Sequence, residues 1–113
     1  MHEMALAESV MQLIEDAARR DHFTRVKTVY LEIGRLACVE PDALAFCFDA
    51  VTRGSVAEDA RLEMIAIPGS AWCARCEATV ELNDPLDPCP RCGNFALRVT
   101  GGSEMRVKEI EVE

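Results

Sequence analysis

The segment Cys73-Ala-Arg-Cys76, twelve residues, then Cys89-Pro-Arg-Cys92-Gly93 places two Cys-x-x-Cys pairs close together in the chain. A two-residue gap lets both sulfurs of a pair point into one small loop, and two such loops can bring four soft thiolates onto one ion. The pattern therefore predicts a tetrahedral metal site built from two knuckles. Gly93 suits the second knuckle, where a positive φ turns backbone amides towards the sulfurs, and Pro90 stiffens the same turn. The first pair is followed by Glu77 instead, so that knuckle departs from the ideal.

The competing reading is a pair of disulfides. The opening residues, Met1-His2-Glu3-Met4-Ala5-Leu6, lack a basic segment followed by an apolar run, and nothing approaches the roughly 18 uncharged apolar residues of a membrane span. A reducing cytoplasm is the expected compartment, and there a paired Cys-x-x-Cys frame favours metal over disulfides. Zinc is the expected ion. Cys-Pro-x-Cys-Gly also surrounds the iron of rubredoxin-like sites, because both metals accept four thiolates.

Four cysteines fill a tetrahedral shell and leave no position for water, so the expected role of the metal is structural. Residues 70–98 are too few to bury a useful core, and a metal that binds only the folded form supplies on the order of 10 kcal/mol to so small a module. A nucleic-acid-binding ribbon fits poorly. The chain carries net charge −8, and residues 70–98 set Arg75, Arg91 and Arg98 against Glu77, Glu81, Asp84 and Asp87, where phosphate binding needs a positive footprint.

The other elements follow from periodicity. At 113 residues, half of them hydrophobic and few aromatic, the chain predicts one globular unit with an aliphatic core and a small appended module. Leu6, Val10, Leu13 or Ile14, and Ala17 recur at helical spacing over residues 4–20. Val29, Leu31 and Ile33 alternate through residues 26–34, a half-buried strand ending at Gly34. Pro41 at a first helical position, the stripe Leu44, Cys47, Phe48 and Val51, and Gly54 as a stop predict a second helix. Residues 61–68 and 104–112 read as strands. Met105 and Val107 fall out of phase with Ile110 and Val112, which predicts a bulge near Lys108 or Glu109.

The expected fold class is thus α+β: two helices packed on a three-stranded sheet, with an inserted zinc-ribbon-like module. Residues 1–69 and 99–113 form the main domain and residues 70–98 the module. Motion between them is expected near Pro68-Gly69-Ser70 and Thr100-Gly101-Gly102.

The amino terminus offers a second chemical signal. Methionine is removed mainly before small residues, so Met1 is expected to stay ahead of His2, leaving the terminal amine one residue from an imidazole. The amine, the His2 backbone nitrogen and the His2 imidazole can close fused rings around Ni(II) or Cu(II), with the Glu3 backbone nitrogen as a fourth donor; nitrogen-rich tetragonal sites suit those ions. Taken alone, a solvated terminal histidine is the simpler reading.

The two signals together resemble the HypA/HybF family of nickel-insertion accessory proteins for nickel-iron hydrogenase. The carriers are Met1-His2-Glu3 followed at once by an amphipathic helix, Leu31-Glu32-Ile33-Gly34, Val39-Glu40-Pro41-Asp42-Ala43-Leu44-Ala45-Phe46-Cys47-Phe48, Arg53-Gly54-Ser55, the four-cysteine frame, and Glu104-Met105-Arg106. The resemblance spans essentially the whole chain. It implies a non-enzymatic nickel metallochaperone with His2 at the nickel site, assisted by the neighbouring backbone and Glu3. Cys73, Cys76, Cys89 and Cys92 then hold structural zinc. The implied partners are a nickel-handling maturation GTPase and the precursor of the hydrogenase large subunit, with urease accessory proteins in some organisms; neither nucleic acid nor membrane is implied.

Other residues divide between two roles. Glu40 stands where family members often carry an acidic residue near the nickel, and it also suits a helix start. Cys47 lies on an apolar stripe as a small hydrophobe, Cys38 precedes the second helix, and neither has a basic activator. His22 follows the first helix, where its charged form favours the carboxy-terminal end. Two further classes stay open: a rubredoxin-like electron carrier and a zinc-ribbon protein-interaction adaptor.

Overall fold

The structure, a computed structural model, describes residues 2–113. Helix α1 (Glu3–Asp21) leads into strand β1 (Val26–Gly34), a single 3-10 turn (Arg35–Ala37) and helix α2 (Pro41–Thr52). Five strands follow: β2 (Arg61–Ile67), β3 (Gly69–Cys73), β4 (Ala78–Leu82), β5 (Leu97–Gly101) and β6 (Met105–Val112). The fold class is α+β, as the sequence predicts, with one mixed sheet in the order β2-β1-β6 and a second, antiparallel sheet in the order β4-β3-β5. The second sheet is the ribbon itself. Among the described residues no helix is long and apolar enough to cross a membrane.

Each element starts and stops for a local reason. Pro41 opens α2, where a missing N–H is harmless, and Glu40 caps it by accepting from the Asp42 N–H at 3.3 Å. α1 ends at His22, which takes a left-handed φ of 59° and donates its N–H to the Ala18 carbonyl at 2.8 Å. β2 stops at Ile67 because Pro68 has no N–H to give a ladder. In β6 the half-buried positions are Met105, Val107 and Ile110, a change of phase across Lys108 and Glu109.

Close contacts divide the chain into two compact units. The first comprises residues 2–31, Val39–Met64 and Val107–Glu113. Its buried side chains include Ala7, Val10, Met11 and Ile14 from α1, Val26, Val29 and Leu31 from β1, and Leu44 and Phe48 from α2. The helices pack against each other, and it is Ile14, not Leu13, that turns inward. Thr28, one of the few buried polar residues, donates its hydroxyl to Glu111 at 2.8 Å, which satisfies it.

The second unit comprises Glu32–Cys38 and Ile65–Arg106. Its core joins Ala71, Cys73, Val80, Leu82 and Cys89 with Leu36, a residue far from the ribbon in sequence. Leu36 is held there by its N–H on the Gly102 carbonyl at 2.8 Å, while Gly34 donates to the Glu104 carbonyl at 2.8 Å. These approaches require glycine: a Cβ on Gly34 would stand 2.0 Å from the Gly102 oxygen, and one on Gly69 would stand 2.4 Å from Leu36 Cγ. The segments 68–70 and 100–102 are therefore closely packed around Leu36.

Candidate functional site

The ribbon brings its four cysteines together by register. Cys73 ends β3 opposite Ala78, the first residue of β4, so Arg75 and its neighbours form a tight loop between paired strands. The second loop closes on itself: Cys89 donates to the Asn94 carbonyl and Gly93 donates to the Cys89 carbonyl, both at 2.8 Å. Gly93 has φ 76°, and Glu77, at the equivalent place in the first loop, takes φ 49°. The two knuckles are thus alike in backbone although only one carries glycine, and Glu77 accepts the strain of a left-handed residue.

The ligand atoms Cys73 Sγ, Cys76 Sγ, Cys89 Sγ and Cys92 Sγ all lie within 4.8 Å of one another. Cys73 and Cys92 stand 3.6 Å apart, and Cys76 and Cys89 stand 3.9 Å apart. With a metal–sulfur bond of about 2.3 Å, a regular tetrahedron has edges of about 3.8 Å, so both pairs already have the separation that a central ion demands. A disulfide requires about 2.05 Å, and all six cysteines are free. The donor set and its spacing fit a closed four-thiolate shell.

Electrostatics point the same way. The Cys76 N–H, with help from Cys92 and Asn94, draws the Cys73 thiol down to about 6, whereas the Cys92 sulfur and burial push Cys76 up to about 12. Burial opposes ionisation of Cys89, yet the backbone N–H groups of Arg91 and Cys92 prevail and lower it. Cys73 and Cys89 are thus drawn towards thiolate while Cys76 beside them is held protonated. Asn94, which sequence reasoning missed, reaches Cys73 Sγ with its side-chain nitrogen at 3.9 Å.

At the other site, His2 is the exposed residue that precedes α1, with φ −91° and ψ 66°. Its carbonyl accepts the Leu6 N–H at 3.0 Å, and its imidazole makes no capping bond. The first N–H groups of a helix have no partner four residues back, so the amides of His2 and Glu3 are not consumed by the helix ladder. The Met1 amine lies outside the described residues. His22 belongs to the opposite end of α1, about 28 Å away for nineteen residues rising 1.5 Å each, and does not join His2.

Glu3 and Glu40 do meet. Glu3 Oε2 accepts the Glu40 N–H at 3.2 Å, and this bond holds the Glu3 carboxyl below its usual range. The contact is complete above the carboxylate range and is lost as pH falls through it. Cys38, with φ 57°, is exposed after the 3-10 turn, and Cys47 is half-buried on α2; neither belongs to the four-sulfur cluster. Among the described residues that cluster is the one group of three or more convergent Cys, His, Asp or Glu ligands.

The sequence profile of the family described as "Hydrogenase/urease nickel incorporation, metallochaperone, hypA" matches residues 1–112. The chain is 64% identical to the hydrogenase maturation factor HypA of Albidiferax ferrireducens, 58% to that of Dechloromonas aromatica and 55% to that of Azotobacter vinelandii, each over 113 residues and the full length of both chains. Among solved structures, the solution structure of the Ni metallochaperone HypA from Helicobacter pylori shares the fold. Its TM-score is 0.71 at 24% identity, covering 99% of this chain and 97% of that one.

Proposed function

Because this chain belongs to the HypA family of nickel-incorporation metallochaperones, we propose that it takes Ni(II) at its amino terminus, through His2 and Glu3, and delivers it to the precursor of a nickel-iron hydrogenase large subunit. It is a nickel metallochaperone of hydrogenase maturation and not an enzyme. The observation that carries the nickel site is an exposed imidazole immediately ahead of α1, beside backbone nitrogens that no helical carbonyl claims. Ni(II) favours such nitrogen-rich, tetragonal donor sets. Glu3 contributes its backbone nitrogen.

Cys73, Cys76, Cys89 and Cys92 hold zinc in a purely structural role. Zinc supplies cohesion to a ribbon whose own core is a handful of side chains, and a full thiolate shell keeps water off the ion. In functional terms residues 1–69 and 99–113 are the nickel-binding domain and residues 70–98 the zinc-binding module. The working compartment is the cytoplasm, where six free thiols persist and where a maturation GTPase and the large-subunit precursor are met; family members that serve urease suggest accessory proteins of that enzyme as further partners.

The test is metal analysis of the purified native chain, followed by nickel titration with and without one residue added ahead of Met1. One zinc per chain and a nickel site abolished by the extension support the reading. Stoichiometric iron with strong visible colour, or nickel binding indifferent to the extension, refutes it.

A further inference from the structure

Glu3 is the first residue of α1, yet the strongest bond to its carboxylate comes from outside its own helix. Oε2 accepts the Glu40 N–H at 3.2 Å, across 37 positions of sequence. Glu40 then caps α2 with its own Oε1 on the Asp42 N–H at 3.3 Å, and its carbonyl accepts the Leu44 N–H at 3.0 Å. Pro41, between them, has no N–H to compete for either acceptor. The first turn of α1 is thereby tied to the start of α2 by one charge-assisted bond. An ionised carboxylate only accepts, so the oxygen that holds Glu40 binds a metal only by giving that bond up. The backbone nitrogens at His2 and Glu3 are claimed by no helical carbonyl.

We propose that the Glu3 side chain is a positioning group and not a nickel ligand: it fastens the first turn of α1 to the backbone N–H of Glu40 and so holds the His2 and Glu3 nitrogens in the geometry that Ni(II) requires. The proposal rests on the amino-terminal nickel site proposed above. Four nitrogens around one ion must lie near a plane, and a fraying first turn would have to be ordered anew each time nickel binds. Glu40 joins the site through its N–H, so its own side chain stays on α2.

The two roles of Glu3 separate because glutamine keeps the acceptor oxygen and loses the charge. Nickel titration of the full-length, zinc-loaded chain, read by its visible absorption bands, should show Glu3→Ala weaker by about tenfold, the usual scale for losing one hydrogen bond to a charged group. Glu3→Gln should restore most of that loss and keep the native band positions, with zinc content unchanged in both. A companion pair removes the donor: Glu40→Ala keeps the N–H, Glu40→Pro deletes it, and only the proline should weaken nickel further. Glu40 has φ −86°, near the range proline adopts.

Glu3→Gln falling as far as Glu3→Ala with shifted bands would make the carboxylate a ligand and overturn the proposal. Glu3→Ala binding nickel like the native chain would overturn it too. His2→Ala in parallel distinguishes a different failure: undiminished nickel binding by that variant removes the amino-terminal site itself.

Discussion

His2 and Glu77 show how differently two exposed residues can matter. His2 makes no side-chain capping bond, so His2→Ala should leave zinc content and thermal midpoint unchanged within error. Nickel binding should collapse, since the remaining histidine sits at the far end of α1, and isothermal titration checks this directly. In the native chain nickel affinity should fall as pH drops, because nickel must displace protons from the backbone nitrogens it binds. Full nickel affinity in His2→Ala would place the site elsewhere. Glu77 lies outside the four-sulfur cluster but holds a left-handed φ of 49° that glycine adopts freely. Glu77→Gly should therefore stabilise the ribbon by about 0.5–1 kcal/mol, seen as a raised zinc-release midpoint in denaturant; unchanged or lowered stability would mean that the glutamate side chain offsets the strain. The sequence marks this position as anomalous, since its counterpart is Gly93. It does not reveal that both knuckles keep the same backbone.

At the scale of elements, spacing carried most of the information. α1, β1 and α2 were legible because their apolar stripes have the right period, with Gly34 ending β1 and Pro41 opening α2; the four-cysteine frame was legible because thiolate geometry allows few spacings. Leu36 was not. It lies in a three-residue 3-10 turn with no periodicity, and its place in the ribbon core depends on glycines 34, 69 and 102 meeting across long stretches of chain. The strands within the ribbon were also invisible as a sheet, since β3, β4 and β5 have five residues each and pair around the metal loops. Two predictions follow from this packing. Cys92→Ser opens a closed thiolate shell, so zinc should be lost and amides of β3–β5 should exchange rapidly, while α1 and α2 keep their protection in hydrogen exchange. Gly34→Ala should cost several kcal/mol, because its Cβ meets backbone at 2.0 Å, whereas Gly54→Ala, with open space around it and only φ 76° to strain, should cost about 1 kcal/mol by urea denaturation. Equal costs at the two glycines would show that the 34–102 contact relaxes freely.

For the whole molecule, charge decides which partners are physically available. Twelve basic residues against twenty acidic ones leave net charge −8, and among the described residues Arg19, Arg20, Arg25, Arg53, Arg61 and Arg106 each pair with a carboxylate. Arg106, for example, is drawn to Glu32, and Arg25 to Glu113. A four-cysteine ribbon on a basic chain would invite phosphate, since each neutralised phosphate releases a condensed counterion and strengthens binding. Here a polyanion approaches a field of its own sign. Fluorescence anisotropy with labelled DNA or RNA at physiological salt should therefore show no binding at micromolar chain. Lowering the salt should not rescue it, because reduced screening lengthens the reach of the repulsion. The same field favours a basic surface, so association with any maturation partner whose docking face carries Lys or Arg should speed up as ionic strength falls. Salt-sensitive nucleic-acid binding would require a positive footprint that net charge −8 opposes, and would return the ribbon to a different class of function.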